Sequence, residues 1–116
     1  MLRAPVLLLV VVDLRVVASF DANLPRVGVI SGASIYPFAW NILLAARNEG
    51  LGGTLTTFVA PAEAEARALF GIPDGFAVAA LLPIGKPVKQ LTKLKRKNVE
   101  DFTSLDSYAG PRLRRP

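Results

Sequence analysis

Residues Ser31 to Val59, SGASIYPFAWNILLAARNEGLGGTLTTFV, decide how the chain folds. They predict a long helix, a glycine stop and a strand leaving it. From Ala33 to Ala46 only Ser34 and Asn41 break the apolar run, so the helix is expected to be covered on most sides. Ser31 suits an N-cap, and a helix from Ser31 to Glu49 would be roughly 28 Å long. Gly50 follows as the residue that can turn left-handed and end it. Pro37 falls in the first turns, so the regular helix either starts near it or bends there. Gly50 to Gly53 then turns into Thr54 to Val59, whose Thr, Phe and Val suit a strand.

The glycines do not read as a dinucleotide fingerprint. That fingerprint needs strand, glycines and helix in that order, with phosphate at the helix N-terminus. Here the order is helix, glycines, strand, and the negative end of the helix faces the turn. The glycines are expected structure, and they leave open the approach of a flat ligand to the backbone beyond them.

The chain has 116 residues, 52% hydrophobic, with no Cys and no His. One domain is the upper bound. Thiolate nucleophiles, Cys/His zinc sites and Ser-His-Asp triads are excluded by inventory, which leaves a bound cofactor, a metal held by oxygen ligands alone or a less common catalytic group; no catalytic side chain and no metal ligand is assigned. A single chain of this length barely encloses a fully apolar helix, which points to an oligomer in which two such helices cover each other. Charge is uneven. Residues 1–85 hold five Arg or Lys against six Asp or Glu, and residues 86–116 hold nine against three, which together give the net +5.

The chain opens on MLRAPVLLLVVVDLRVVASFDA, which has the outline of a secretory leader. Its uninterrupted apolar run, Val6 to Val12, is too short to span a bilayer and has the length of a buried strand. An interior strand is the preferred reading, and a cleaved leader is the second. Ser19 to Arg26 reads as loop. Pro61 to Phe70 (PAEAEARALF) reads as a short surface helix, with Glu63 and Glu65 placed by the helix dipole and solvated. Phe76 to Ile84 (FAVAALLPI) reads as a second buried strand, giving layers of helix on a sheet covered on both faces.

Lys86 to Lys97 (KPVKQLTKLKRK) carries six cations. A solvated basic loop is the commonest fate of such a run. The alternatives are a phosphate clamp, with Lys95 and Arg96 as donors, and nucleic-acid binding, the weakest because no aromatic is interleaved. Asn98 to Gly110 is expected to continue as an extended tail packed through Phe102 and Tyr108. The expected domain is 1–110, with residues 111–116 frayed.

Four blocks, Asn41 to Gly53 (NILLAARNEGLGG), Leu69 to Asp74 (LFGIPD), Leu82 to Pro87 (LPIGKP) and Lys95 to Phe102 (KRKNVEDF), resemble the FMN-dependent nitroreductase family in order and spacing. The likeness is to the C-terminal part of that domain. It implies an α+β fold, a nitroreductase-like mixed sheet flanked by helices with a long buried central helix, lacking the N-terminal half of the domain.

The resemblance further implies a homodimer with FMN at the subunit interface and hydride transfer from NAD(P)H through flavin to a nitroaromatic or quinone. Its flavin-ring segment would be Leu55, Thr56 and Thr57, and its phosphate pair Lys95 and Arg96. Tyr36, Phe38 and Trp40 are pocket or interface aromatics or, more commonly, core. A cytoplasmic location is expected, with no nucleic-acid or membrane partner. The rival reading is a truncated, non-enzymatic remnant that dimerises without a complete flavin site. A third, a secreted or membrane-bound basic binding module, rests on the opening run.

Overall fold

A computed structural model describes residues 4–114. Met1 to Arg3, the start of the leader-like run, and the last two residues of the expected frayed tail lie outside the described residues. The elements are β1 (Val6–Asp13), α1 (Tyr36–Asn48), β2 (Gly52–Gly53), α2 (Glu63–Phe70) and β3 (Phe76–Gly85), with short 3-10 turns before α1, before α2 and at Val99–Asp101. Strand order is β1-β3-β2, antiparallel throughout. The mixed sheet expected from the sequence is thus wholly antiparallel among the described residues.

Val6–Asp13 does form a strand, but at the sheet edge rather than inside. Its apolar run has the length of an interior strand, yet among the described residues only β3 pairs with it. No helix is long and apolar enough to cross a membrane among the described residues. The molecule measures 53 × 43 × 21 Å. Its thin dimension is that of one helix laid on one sheet.

The core lies between them. Val10, Ala80, Leu82 and Ile84 on the sheet meet Ala39 and Ala46 on α1, with Ile42, Leu43, Leu51 and Leu55 packed around. The helix therefore buries one stripe and leaves Phe38 and Trp40 exposed by 57% and 59%. The full cover expected from its composition is absent within one chain, because the sheet offers it a single face.

The helix starts at Tyr36, with Pro37 in its first turn and no side-chain cap. Ser31 lies in the 3-10 turn Ile30–Ser34 instead of capping the helix. Its end follows the glycine reading. Gly50 takes φ 76°, its N–H donates to Arg47 O at 3.1 Å, and Leu51 N–H donates to Ala46 O at 2.9 Å, a complete Schellman closure.

β2 is longer in register than its two paired glycines suggest. Gly53 faces Ile84 and Thr56 faces Leu81, one continuous alignment that sets Thr54 opposite Pro83. Thr54 N–H donates to Pro83 O at 3.4 Å, but proline has no N–H to return. The ladder breaks there and resumes at Thr56. On the other side of β3, Val10 faces Ala80 and Val11 faces Val78, so Ala79 is the extra residue of a bulge.

Beyond residue 98 the expected extended tail is a folded turn. Asn98 and Asp101 cap each other, Ser104 bridges Arg112, and Leu113 N–H donates to Thr103 O at 3.1 Å.

Candidate functional site

Leu55, Thr56 and Thr57 follow the glycine turn along the free edge of the sheet. Thr56 exchanges both backbone bonds with Leu81, at 3.0 and 2.8 Å, and its Oγ1 accepts from Phe58 N–H at 3.1 Å. Strand alternation then turns the backbone groups of Leu55 and Thr57 away from β3. The Thr57 carbonyl accepts from Ala60 N–H at 2.9 Å, leaving the Thr57 N–H and both Leu55 groups on the open edge. The Leu55 side chain packs on the core and anchors the segment. A shallow hollow of about 290 Å³ beside the turn is walled by Gly52, Gly53, Thr54, Pro83 and Lys86.

The glycines of the turn serve packing. A Cβ on Gly53 would stand 2.8 Å from Leu43 Cδ2, and one on Gly52 would stand 3.0 Å from Pro87 Cβ. The positions a Cβ would take are filled by the chain itself.

Lys95 and Arg96 lie in an exposed stretch without regular structure. Arg47 holds this stretch lower down, donating from Nη2 to Leu91 O at 3.0 Å. Among the described residues no hydrogen bond or ion pair joins Lys95 or Arg96 to the Leu55–Thr57 edge. The structure therefore keeps the three ring candidates together and does not bring the two phosphate candidates into contact with them.

Residues 1–86 match the model of the nitroreductase family. The chain belongs to that family. The nitroreductase match corrects two expectations. The matched residues are the N-terminal part, so the chain is not the C-terminal part of the domain with its N-terminal half missing. The block Lys95 to Phe102, one of the four that carried the likeness to the C-terminal part, lies outside the match. No curated protein matches the chain. Membership of the nitroreductase family supports a general FMN-linked oxidoreductase role, a small-molecule substrate and possible dimeric assembly.

The groups present fit a flavin in part. An edge strand with outward N–H and C=O groups can meet the donors and acceptors along a flat ring, and exposed cations can meet a phosphate. Glu63 is a residue that sequence reasoning set aside. Its Oε1 accepts from Val78 N–H at 2.7 Å, so this carboxylate ties α2 to β3 beside the bulge instead of being merely solvated. The register of β3, invisible in the sequence, decides that contact.

Proposed function

We propose that the chain is an FMN-dependent oxidoreductase that takes hydride from NAD(P)H and passes it to a nitroaromatic or quinone. The observation that carries this reading is the set of free backbone groups at Leu55 and Thr57, turned outward by the Thr56–Leu81 bridge. In this reading Leu55 and Thr57 bind the ring edge, Thr56 fixes their register, and Lys95 and Arg96 hold the phosphate. FMN, when bound, supplies the two-electron chemistry. The protein's part is to orient the ring, neutralise phosphate charge and exclude water. A chain without His or Cys is adequate for that.

The broad exposed side of α1, flanked by Phe38 and Trp40 and including Leu44, supports a homodimer in which the two helices cover each other. The visible absorption spectrum of the purified protein, with an FMN titration, tests the enzyme reading. Flavin bands that bleach on adding NAD(P)H are expected. A colourless protein that takes up no FMN would sink it. Arg96→Ala should weaken FMN binding about tenfold, the loss of one charge-assisted bond, with an unchanged far-UV spectrum; unchanged affinity would remove Arg96 from the site.

A further inference from the structure

The stretch Lys86 to Lys97 holds six cations and no acid. Every residue from Val88 to Val99 is exposed, and none from Val88 to Asn98 lies in a helix or strand. Among the described residues no side chain of the six cations makes a hydrogen bond or an ion pair. Arg47 Nη2 donates to Leu91 O at 3.0 Å, which holds the stretch by its backbone. The flavin reading gives a task to Lys95 and Arg96 and leaves Lys86, Lys89, Lys93 and Lys97 without one.

Three apolar side chains stand among these cations, Val88 fully exposed and Leu91 and Leu94 by more than half. They recur at every third residue. Pro87 suits the first position of a helix, neither Gly nor a second Pro follows before Asn98, and Asn98 is extended as the cap of the next turn. Wound as a helix, Pro87 to Lys97 would carry Val88, Leu91 and Leu94 in a stripe about 120° wide, with Lys89, Lys93, Arg96 and Lys97 in a sector about 100° wide on the opposite side. Lys95 falls inside the apolar stripe, where its stem can lie along the surface and its amine reach outward. In water the stretch does not wind. It is too short for a stable isolated helix, and Lys89, Lys93 and Lys97, spaced four apart, would repel one another along one face.

We propose that Lys86 to Lys97 docks on an anionic lipid surface and winds into a helix as it does so. Anionic headgroups remove the repulsion that keeps the stretch unwound, and Val88, Leu91 and Leu94 enter the boundary between headgroups and acyl chains. Both deficits of the free stretch, unpaired charge and unburied apolar surface, are met together. A nucleic acid would meet only the first, since no aromatic stands in the stretch to stack on bases. No helix among the described residues is long and apolar enough to cross a membrane, so the contact is with one face of the bilayer. This departs from the expectation of no membrane partner and is independent of the flavin reading.

The test is co-sedimentation of the full chain with vesicles of phosphatidylcholine alone and of equal parts phosphatidylcholine and phosphatidylserine, with far-UV circular dichroism of the bound protein. Binding to the anionic vesicles alone, weakened by salt and accompanied by a gain in helix signal, is expected. Lys89→Ser, Lys93→Ser and Lys97→Ser combined should weaken binding about a hundredfold; Lys95 and Arg96 stay in place, so FMN affinity reports on the flavin reading separately. Leu91→Ser with Leu94→Ser leaves the net charge unchanged and should weaken binding about tenfold. All five positions are exposed, and the variants should keep the wild-type far-UV spectrum in free solution. Equal binding to neutral vesicles, no binding to anionic ones, binding without a gain in helix, or undiminished binding of the leucine variant would overturn the proposal. Binding to a DNA duplex without binding to vesicles would assign the cations to nucleic acid and overturn it as well.

Discussion

Asp21 gives the clearest chemistry at a single residue. The Val29 N–H holds its carboxyl below the usual carboxylate range; Arg26 and Ile30 act in the same direction, and burial opposes them. Because the folded pKa is lowered, the unfolded chain binds the proton more readily. The contribution to stability is therefore present above the unfolded pKa of about 3.9 and lost as pH falls through the folded value. Asp13, held low by its side-chain bond from Arg15, adds in the same direction. Denaturant midpoints measured from neutral pH into the acid range should fall more steeply for the wild type than for Asp21→Asn; parallel curves would deny the carboxylate this role. Glu63 makes a second test. Glu63→Ala would leave Val78 N–H without its partner at a cost of about 1–3 kcal/mol in urea unfolding, and Glu63→Gln, which keeps an acceptor oxygen, should cost less.

Among the elements, the short β2 is set by its neighbour rather than by its own residues. Pro83 interrupts the ladder opposite Thr54, so Pro83→Val should supply the missing donor. The gain of about 0.5–1.5 kcal/mol from a new hydrogen bond is nearly offset by the greater freedom of the unfolded chain, about 0.4–1 kcal/mol. Stability should barely change, while hydrogen exchange should show a new protected amide at position 83. An unprotected amide there would mean that the strand is not in the register described. Much of this level was legible in the sequence. Gly50 marked the helix stop because only a left-handed residue closes it there, and apolar runs marked β1 and β3. The position of β1 at the edge was not legible, since an apolar run records burial without recording in which chain the burial occurs. The bulge at Ala79 and the Glu63 contact depend on register, which local sequence does not encode. At the candidate site the helix stop could be read from Gly50, but the strand expected over Thr54–Val59 is instead Gly52–Gly53 with a single bridge at Thr56, and the course of Lys95 and Arg96 could not be read.

For the molecule as a whole, one helix on one face of a three-stranded sheet leaves large apolar side chains in water. The homodimer reading predicts a species of twice the 12.4 kDa chain mass by light scattering. Trp40→Glu places a charge in the proposed contact and should return the protein to a single-chain mass, with its far-UV spectrum retained; a monomeric wild type would remove the reading.

The pairing of Val6 with Ile84 also sets an order of events during synthesis. β1 leaves the ribosome well before β3, its partner in the sheet. Until then an eight-residue strand rich in Val and Leu has both edges open, while the helix meant to cover its neighbours has no sheet to rest on. Closing so long a loop is slow, and nascent chains in that state recruit chaperones or one another. The yield of soluble protein in cells should therefore depend on translation speed through the middle of the message more than on the stability of the finished fold.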